Sequence, residues 1–498
     1  MTQQQRHVDE QLAMINAEIS LLLDKVGSGR MEGGAYDTGW VARLDSRYPN
    51  MGFDACLEWL RENQYEDGTW GAPLVHYHDR YISTLSAIIA LHENGRHPKD
   101  ERRVRRGEDS LWKTVGYLNK DDSDTVGFPL LAAALTREAT ALGLDVPQPP
   151  IRFETSYQRK VQMLMQQPPS FWHGNAITAS LEGVSTPLPA ESLLAENGSV
   201  AGSPAATASV LMRENNPRAM AYLCGVLAIE NTGRMPNFTP IDTFEISWCL
   251  NSLRSVGAIQ PNEPRVAMLL DYLCSSWSTT EGMTYSRSLK VCDLDDTVVS
   301  MLLLRWAGYA IDADILYYYE RDDHFCCYPN ETDPSPSAHA RTLSMLKFFP
   351  EHPSTPKWTE KIINALDRYD ANGIFWWDKW HASTYYTTSI AIDALHDIAT
   401  EFAAPRLKWI LRTQRDDGGW GSFGTSTAEE TAYALYTLTL WHQRIAPVPM
   451  HAMDKAASYL ITHLNKNHQP IWIGKSLFTP PYMVRAAILG ALYGYYTN

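Results

Sequence analysis

Residues 291–302 read VCDLDDTVVSML and put Asp293, Asp295 and Asp296 between apolar residues on both sides. A carboxylate is costly to bury as an anion, and its usual escape is to take up a proton. Three so close together cannot all ionise cheaply, and an apolar surround acts in the same direction. The chemistry this allows is proton donation by a neutral carboxylic acid. A plainer account of the same residues is local: Asp at a helix start accepts from free backbone N–H groups and suits the positive end of the helix dipole. A calcium loop is excluded, because the glycine and the distal Glu of that pattern are missing.

An acid of this kind needs a dry, shaped cavity around it. The 498 residues are 44% hydrophobic and 20% charged, a globular composition, and include 16 Trp, 25 Tyr and 13 Phe. Aromatic faces can line an apolar pocket and attract cations, although packing between helices is their ordinary use. With 43 basic against 57 acidic residues the net charge is −14, which argues against a nucleic-acid partner. Seven cysteines make no paired CxxC spacing and no disulfide framework, so a cytoplasmic location is expected. Near the N-terminus, Leu12, Ile15, Ile19, Leu22, Leu23 and Val26 recur at helical spacing and read as an amphipathic helix, not a secretory signal. No run of 18 apolar residues occurs, so no transmembrane segment is expected.

Helical periodicity dominates the rest of the chain. QYEDGTWG (64–71) and QRDDGGWG (414–421) are near copies, and RYDANGIFWW (368–377) is a degenerate third version. Gly68 and Gly418 supply the positive φ of a helix stop, the acidic residues accept turn hydrogen bonds, and Trp70 and Trp420 anchor the turn. A helix–turn unit recurring in both halves predicts stacked helical hairpins closing into α/α barrels. The turn-rich stretches GSGRMEGG (27–34) and IENTGRMPNFTP (229–240) are the expected boundaries.

DLDDT, the QxxDGxW turns and GAYDTGWVARL (34–44) together resemble the class II terpene cyclases, specifically the bacterial class II diterpene cyclases. DRYISTLSAIIAL (79–91), NGSVAGSPAATA (197–208), PIDTFEISW (240–248), WWDKWHASTYYTT (376–388) and WIGKSLFTPP (472–481) follow in family order, so the resemblance covers roughly residues 30–490. It implies an all-α fold of two α/α barrels, with a γ barrel (29–240) inserted between the first helix (1–28) and the remainder (241–498) of a β barrel. The metal motif DDxxD of ionising terpene synthases is absent from RDDHFC (321–326) and KDDSDT (120–125), so ionisation-type synthesis is not expected.

The resemblance also implies a reaction. Geranylgeranyl diphosphate is protonated at its terminal alkene, rings close in a cascade, and the diphosphate stays attached. Asp295 is then the general acid, Asp293 and Asp296 tune it, and His339 stands where the family has the acid's geometric partner. Asn237 matches one half of the His–Asn dyad of plant ent-copalyl diphosphate synthases, but Ala179 replaces the His. A broken dyad leaves the cation longer-lived and favours a rearranged clerodane (kolavenyl) or halimadane skeleton over unrearranged copalyl diphosphate. Lys475 and Lys379 are expected near the diphosphate, and Tyr36, Trp40, Trp377, Tyr385 and Tyr386 along the cavity. Asp121, Asp122 and Asp124 are candidate Mg²⁺ ligands. A class I synthase or a phosphatase would act on the product; the oligomeric state is not assigned.

Three other readings compete. Cys292 beside Asp293 would suit the zinc site of a protein prenyltransferase β-like subunit, but that fold has no second barrel. An α-solenoid binding module explains the turns but not the acidic cluster. A squalene-type cyclase would be longer and richer in Gln–Trp turns.

Overall fold

The recurring turn is one structure built three times. The indole Nε1 of Trp70, Trp376 and Trp420 donates to the carbonyl of Leu60, Leu366 and Ile410, at 2.8, 2.7 and 2.7 Å. Each backbone N–H of the three tryptophans donates to a threonine hydroxyl on the helix that follows, that of Thr84, Thr388 or Thr431. Gln64 and Gln414 add a second tie, each reaching its turn glycine's carbonyl at 2.9 Å and the backbone of a neighbouring helix. Gly68 (φ 93°) and Gly418 (φ 88°) sit where a Cβ would strike the carbonyl oxygen of Arg106 or Lys455. These turns therefore set the distance between inner and outer helices.

The computed structural model describes residues 3–121, 124–172, 175–184, 188–329, 331 and 333–497. Asp122 lies outside them. Six helices form a closed inner ring: Asp242–Ser255, Leu294–Trp306, Pro336–Leu346, Thr384–Leu395, Ala428–Arg444 and Pro481–Tyr496, each packed on the next and the last on the first. Around it stand Gln3–Leu23, Pro264–Ser276, Thr355–Arg368, Thr400–Arg412 and Met450–His463. A second ring closes through Ala35–Ala42, Tyr77–Asn94, Phe128–Ala141, the 3₁₀ segment Ala176–Gly183 and Pro204–Arg213, with its own outer helices. The fold is two α/α barrels, the second inserted after the first helix of the other.

Each barrel has its own apolar core. One combines residues 15–31 with residues 241–492; the other is drawn from residues 35–235. The crossing segment after the first helix is held by Glu245, whose Oε1 accepts from Gly27 (2.7 Å) and Gly29 (3.1 Å) and whose Oε2 accepts from Arg30 (3.1 Å). Among the described residues no helix is long and apolar enough to cross a membrane.

Candidate active site

The hairpin Trp472–Phe478 leaves the larger barrel and plugs into the smaller one. Gly474 O accepts from Val126 N–H (2.8 Å), Ser476 N–H donates to Asn237 Oδ1 (2.8 Å), and Leu477 N–H donates to Asp79 Oδ1 (3.2 Å). At its tip the fully buried Lys475 reaches Glu182 Oε1 (2.7 Å), Ser203 Oγ (2.6 Å) and Asp37 Oδ1 (3.3 Å). Burial raises the Asp37 carboxyl to about 7 even against the pull of Lys475. Both faces of the joint are thus fixed by backbone bonds and a buried charge cluster.

Beside this joint lies a cavity of about 1000 Å³ including its open mouth. Asp293, Asp295 and Asp296 line it at one place. Asp293 is the N-cap of Leu294–Trp306 and accepts from Asp296 N–H at 2.8 Å, while Cys292–Asp293 pairs with Met283–Thr284 in a short antiparallel ladder. The capping account and the acid account therefore hold together. Burial, and next the Asp293 charge, push the Asp295 carboxyl up to about 8, with Arg341 opposing. Burial and the other two carboxylates also raise Asp296 well above the ordinary range. Oδ1 of Asp295 and Oδ1 of Asp296 are buried with no hydrogen-bond partner. Near neutral pH this is a neutral acid with a free oxygen in an apolar chamber.

Rings dominate the rest of the wall: Phe238, Phe244, Trp248, Tyr285, Tyr328, Trp380, Tyr386, Trp472 and Phe478. Phe244 meets Trp248 edge-on at 4.4 Å and Trp472 at 5.7 Å, and Tyr386 meets Trp472 at 5.1 Å. Val126, Ala176, Ala179 and Ala201 of the smaller barrel complete the lining, so the chamber belongs to both barrels.

This arrangement has known relatives. Residues 297–463 match the squalene-hopene cyclase C-terminal domain. Over 483 residues the chain is 32% identical to a type B diterpene cyclase of Mycobacterium tuberculosis, covering 92% of this chain and 94% of that one. The chain belongs to the class II diterpene cyclases. It is also 30% identical, over 63% of its length, to a chloroplastic (−)-kolavenyl diphosphate synthase of Tripterygium wilfordii, of which it spans only 39%. An ent-copalyl diphosphate synthase from Streptomyces platensis shares its fold with a TM-score of 0.78 at 27% identity, covering 96% of this chain and 99% of that one. As a member of this class the cyclase is an isomerising enzyme.

The cyclase places several expected residues elsewhere. His339 is not the partner of Asp295: its Nε2 accepts from Phe325 N–H at 3.0 Å and its Nδ1–H donates to Ser335 O at 2.7 Å. Both ring nitrogens are committed to backbone, and burial lowers the imidazole to about 4. Lys475 is held by the joint, and Lys379 pairs with Glu331 at 2.5 Å and with Asp333 O, so neither ammonium lines the chamber. Asn237 is spent on Ser476, accepting from its N–H and donating to its Oγ at 2.8 Å. Of the five aromatic residues expected along the cavity, Tyr386 alone lines it. Tyr36 is buried with its hydroxyl on Glu182, Trp40 lies under Arg43, Tyr385 stacks on Trp409, and Trp377 is 40% exposed at the surface.

Several of the positions missed were inside the quoted blocks. Trp248 ends PIDTFEISW, and Trp472 and Phe478 lie in WIGKSLFTPP. Consecutive helix residues point 100° apart, so a cavity-facing Tyr386 forces Tyr385 into the layer between helices. Arg341, two residues after His339, was overlooked, although its Nη2 donates to the Tyr386 hydroxyl.

The acidic loop offers mixed donors. Asp121 Oδ2 accepts from His78 N–H at 2.8 Å and lies 3.3 Å from His76 Nδ1, while Asp124 Oδ1 is 3.7 Å from His78 Nδ1. Mg²⁺ prefers oxygen ligands and keeps its waters, so the His76–His78–Asp121 group is a poor cage for it. Asp124, whose carboxylate is 42% exposed, suits an ion that arrives already bound to phosphate oxygens.

Proposed function

We propose that the enzyme takes geranylgeranyl diphosphate and isomerises it to a bicyclic diterpenyl diphosphate without breaking the C–O bond to the diphosphate. Asp295 gives its carboxyl proton to the terminal alkene, the alkene's π pair forms the new C–H bond, and the cation left behind is attacked by the next double bond. Two ring closures later a proton leaves from carbon, so the product has the composition of the substrate. The observation that carries this reading is Asp295 itself, held near 8 with an unpartnered oxygen in a chamber walled by rings. A neutral acid can protonate an alkene, and ring faces stabilise the cation as it forms.

The product reading is a rearranged clerodane or halimadane skeleton. Ala179 supports it, because it lines the chamber with a methyl group where a base would end the cascade early, and Asn237 is turned away to Ser476. Copalyl diphosphate is the alternative. The division of the chain at 28/29 and 240/241 is part of this reading and is supported by the two separate cores. Mg²⁺ is proposed to accompany the diphosphate, with Asp124 as its protein contact, where it would neutralise charge. Asp293 and Asp296 keep the acid protonated.

The test is to incubate purified enzyme and Mg²⁺ with geranylgeranyl diphosphate, dephosphorylate, and identify the alcohol by NMR. A clerodane or halimadane alcohol supports the reading, copalol removes the rearrangement, and geranylgeraniol alone removes the substrate.

A further inference from the structure

Two buried charges flank the aromatic wall. The guanidinium carbon of Arg341 lies 4.5 Å from the Trp248 ring and 5.5 Å from the Tyr386 ring, and Nη2 donates to the Tyr386 hydroxyl at 2.9 Å. Arginine stays charged in proteins. Glu429, 2% exposed, sits at the N–H edge of the Trp472 indole. Its Oε1 accepts from Trp472 Nε1 and from the Tyr433 hydroxyl, both at 2.7 Å, and from His381 Nε2 at 3.2 Å. His381 is not a compensating cation: its Nδ1 accepts the Ser383 N–H at 3.1 Å, which leaves one proton, on Nε2. Among the described residues no Lys or Arg pairs with Glu429, and its Oε2 is buried without a partner.

A positive charge beside a ring weakens the attraction of its face for a cation, and a negative charge strengthens it. Beside an apolar chamber such fixed charges are screened less than in water and need no rearrangement as the reaction proceeds. We propose that Glu429 and Arg341 are paired positioning residues that determine where on the wall the cyclisation cation rests: over Trp472 and away from Trp248. The proposal rests on the cyclisation reading above. It assigns to the wall a direction as well as a composition, so positive charge is drawn away from the side held by Arg341. Neither residue exchanges a proton with the substrate.

The probe is a bicyclic azadecalin carrying the diphosphate tail, whose protonated ring nitrogen stands where the cyclised cation carries its charge. Its all-carbon decalin counterpart is the neutral reference. Binding of both to the full-length enzyme is measured by calorimetry, and the readout is the preference for the ammonium compound. Removing one charge beside the wall changes that preference on the order of tenfold at an effective dielectric near 20. Glu429→Gln is expected to lower it by that factor while the decalin binds as before, and Glu429→Asp to restore most of it. Arg341→Met is expected to raise it, and this variant decides the matter if Glu429→Gln does not fold. An unchanged preference in the folded variants, or equal weakening of both compounds, overturns the proposal and leaves the cyclisation reading intact. Failure of both compounds to bind wild-type enzyme overturns the cyclisation reading, and this inference with it.

Discussion

The N–H of Asp296 donates to Asp293 Oδ1 at 2.8 Å, so the residue that caps the Leu294–Trp306 helix is also a member of the acid cluster. That bond consumes an acceptor of Asp293 and leaves the oxygens of Asp295 for the chamber. Helix start and acid are one device, and the positive helix end is outweighed by burial and mutual repulsion.

Turnover should depend on one proton of this cluster. Asp295→Asn is expected to lower kcat by roughly 10³-fold or more, the upper range of general acid catalysis. For the wild type, kcat should fall as pH rises through about 8, where Asp295 loses its proton. A pH–rate profile and single-turnover assays of the variant check both.

The same shift has a sign for stability. The folded state raises Asp295 from 3.8 to about 8, so it binds the proton more tightly than the unfolded chain does. Its contribution to stability is present in full below pH 3.8 and is lost as pH rises towards about 8. Asp295→Asn should therefore raise Tm, by more at pH 8 than at pH 5. Calorimetry at the two pH values measures the difference.

His339 should matter for folding and not for proton transfer. His339→Ala strands the buried N–H of Phe325, at a cost of about 1–3 kcal/mol for the unsatisfied group, while Ser335 O keeps the backbone N–H of residue 339. Denaturant unfolding should register that loss while the pH–rate profile keeps its midpoint. A moved midpoint would return His339 to the side of Asp295.

Lys475→Met leaves Asp37 and Glu182 as buried carboxylates without a counter-ion at the joint. Breaking such a cluster from one side costs about 3–5 kcal/mol. We expect a large fall in Tm, with the KM of the enzyme that remains folded unchanged, because the ammonium is turned away from the chamber. A raised KM at unchanged Tm would make Lys475 a substrate contact.

Much of this architecture was legible in the chain. The repeated turns predicted stacked helical hairpins because their bonds are local, each indole reaching a carbonyl ten residues back. The acid cluster was legible for the same reason: its three members are neighbours in sequence. His339, Lys475 and Lys379 were misplaced because a role carried over by position says nothing about where a side chain turns. Each had a stronger partner close by, in the Phe325 N–H, the Glu182 carboxylate and the Glu331 carboxylate. Glu429 gave no signal, since a buried charge beside a ring becomes visible only when helices far apart in sequence are packed.

The first helix, Gln3–Leu23, shares its core with helices at the far end of the chain and packs on the last one, Pro481–Tyr496. During synthesis it emerges well before that partner. The inserted barrel can close meanwhile, but the apolar stripe of Ile15, Ile19, Leu22 and Leu23 has no place to go until its partner helix emerges. A nascent chain of this enzyme therefore exposes a greasy helix until Pro481–Tyr496 emerges, and fragments cut short before that helix should occupy chaperones instead of accumulating as a half-built catalyst.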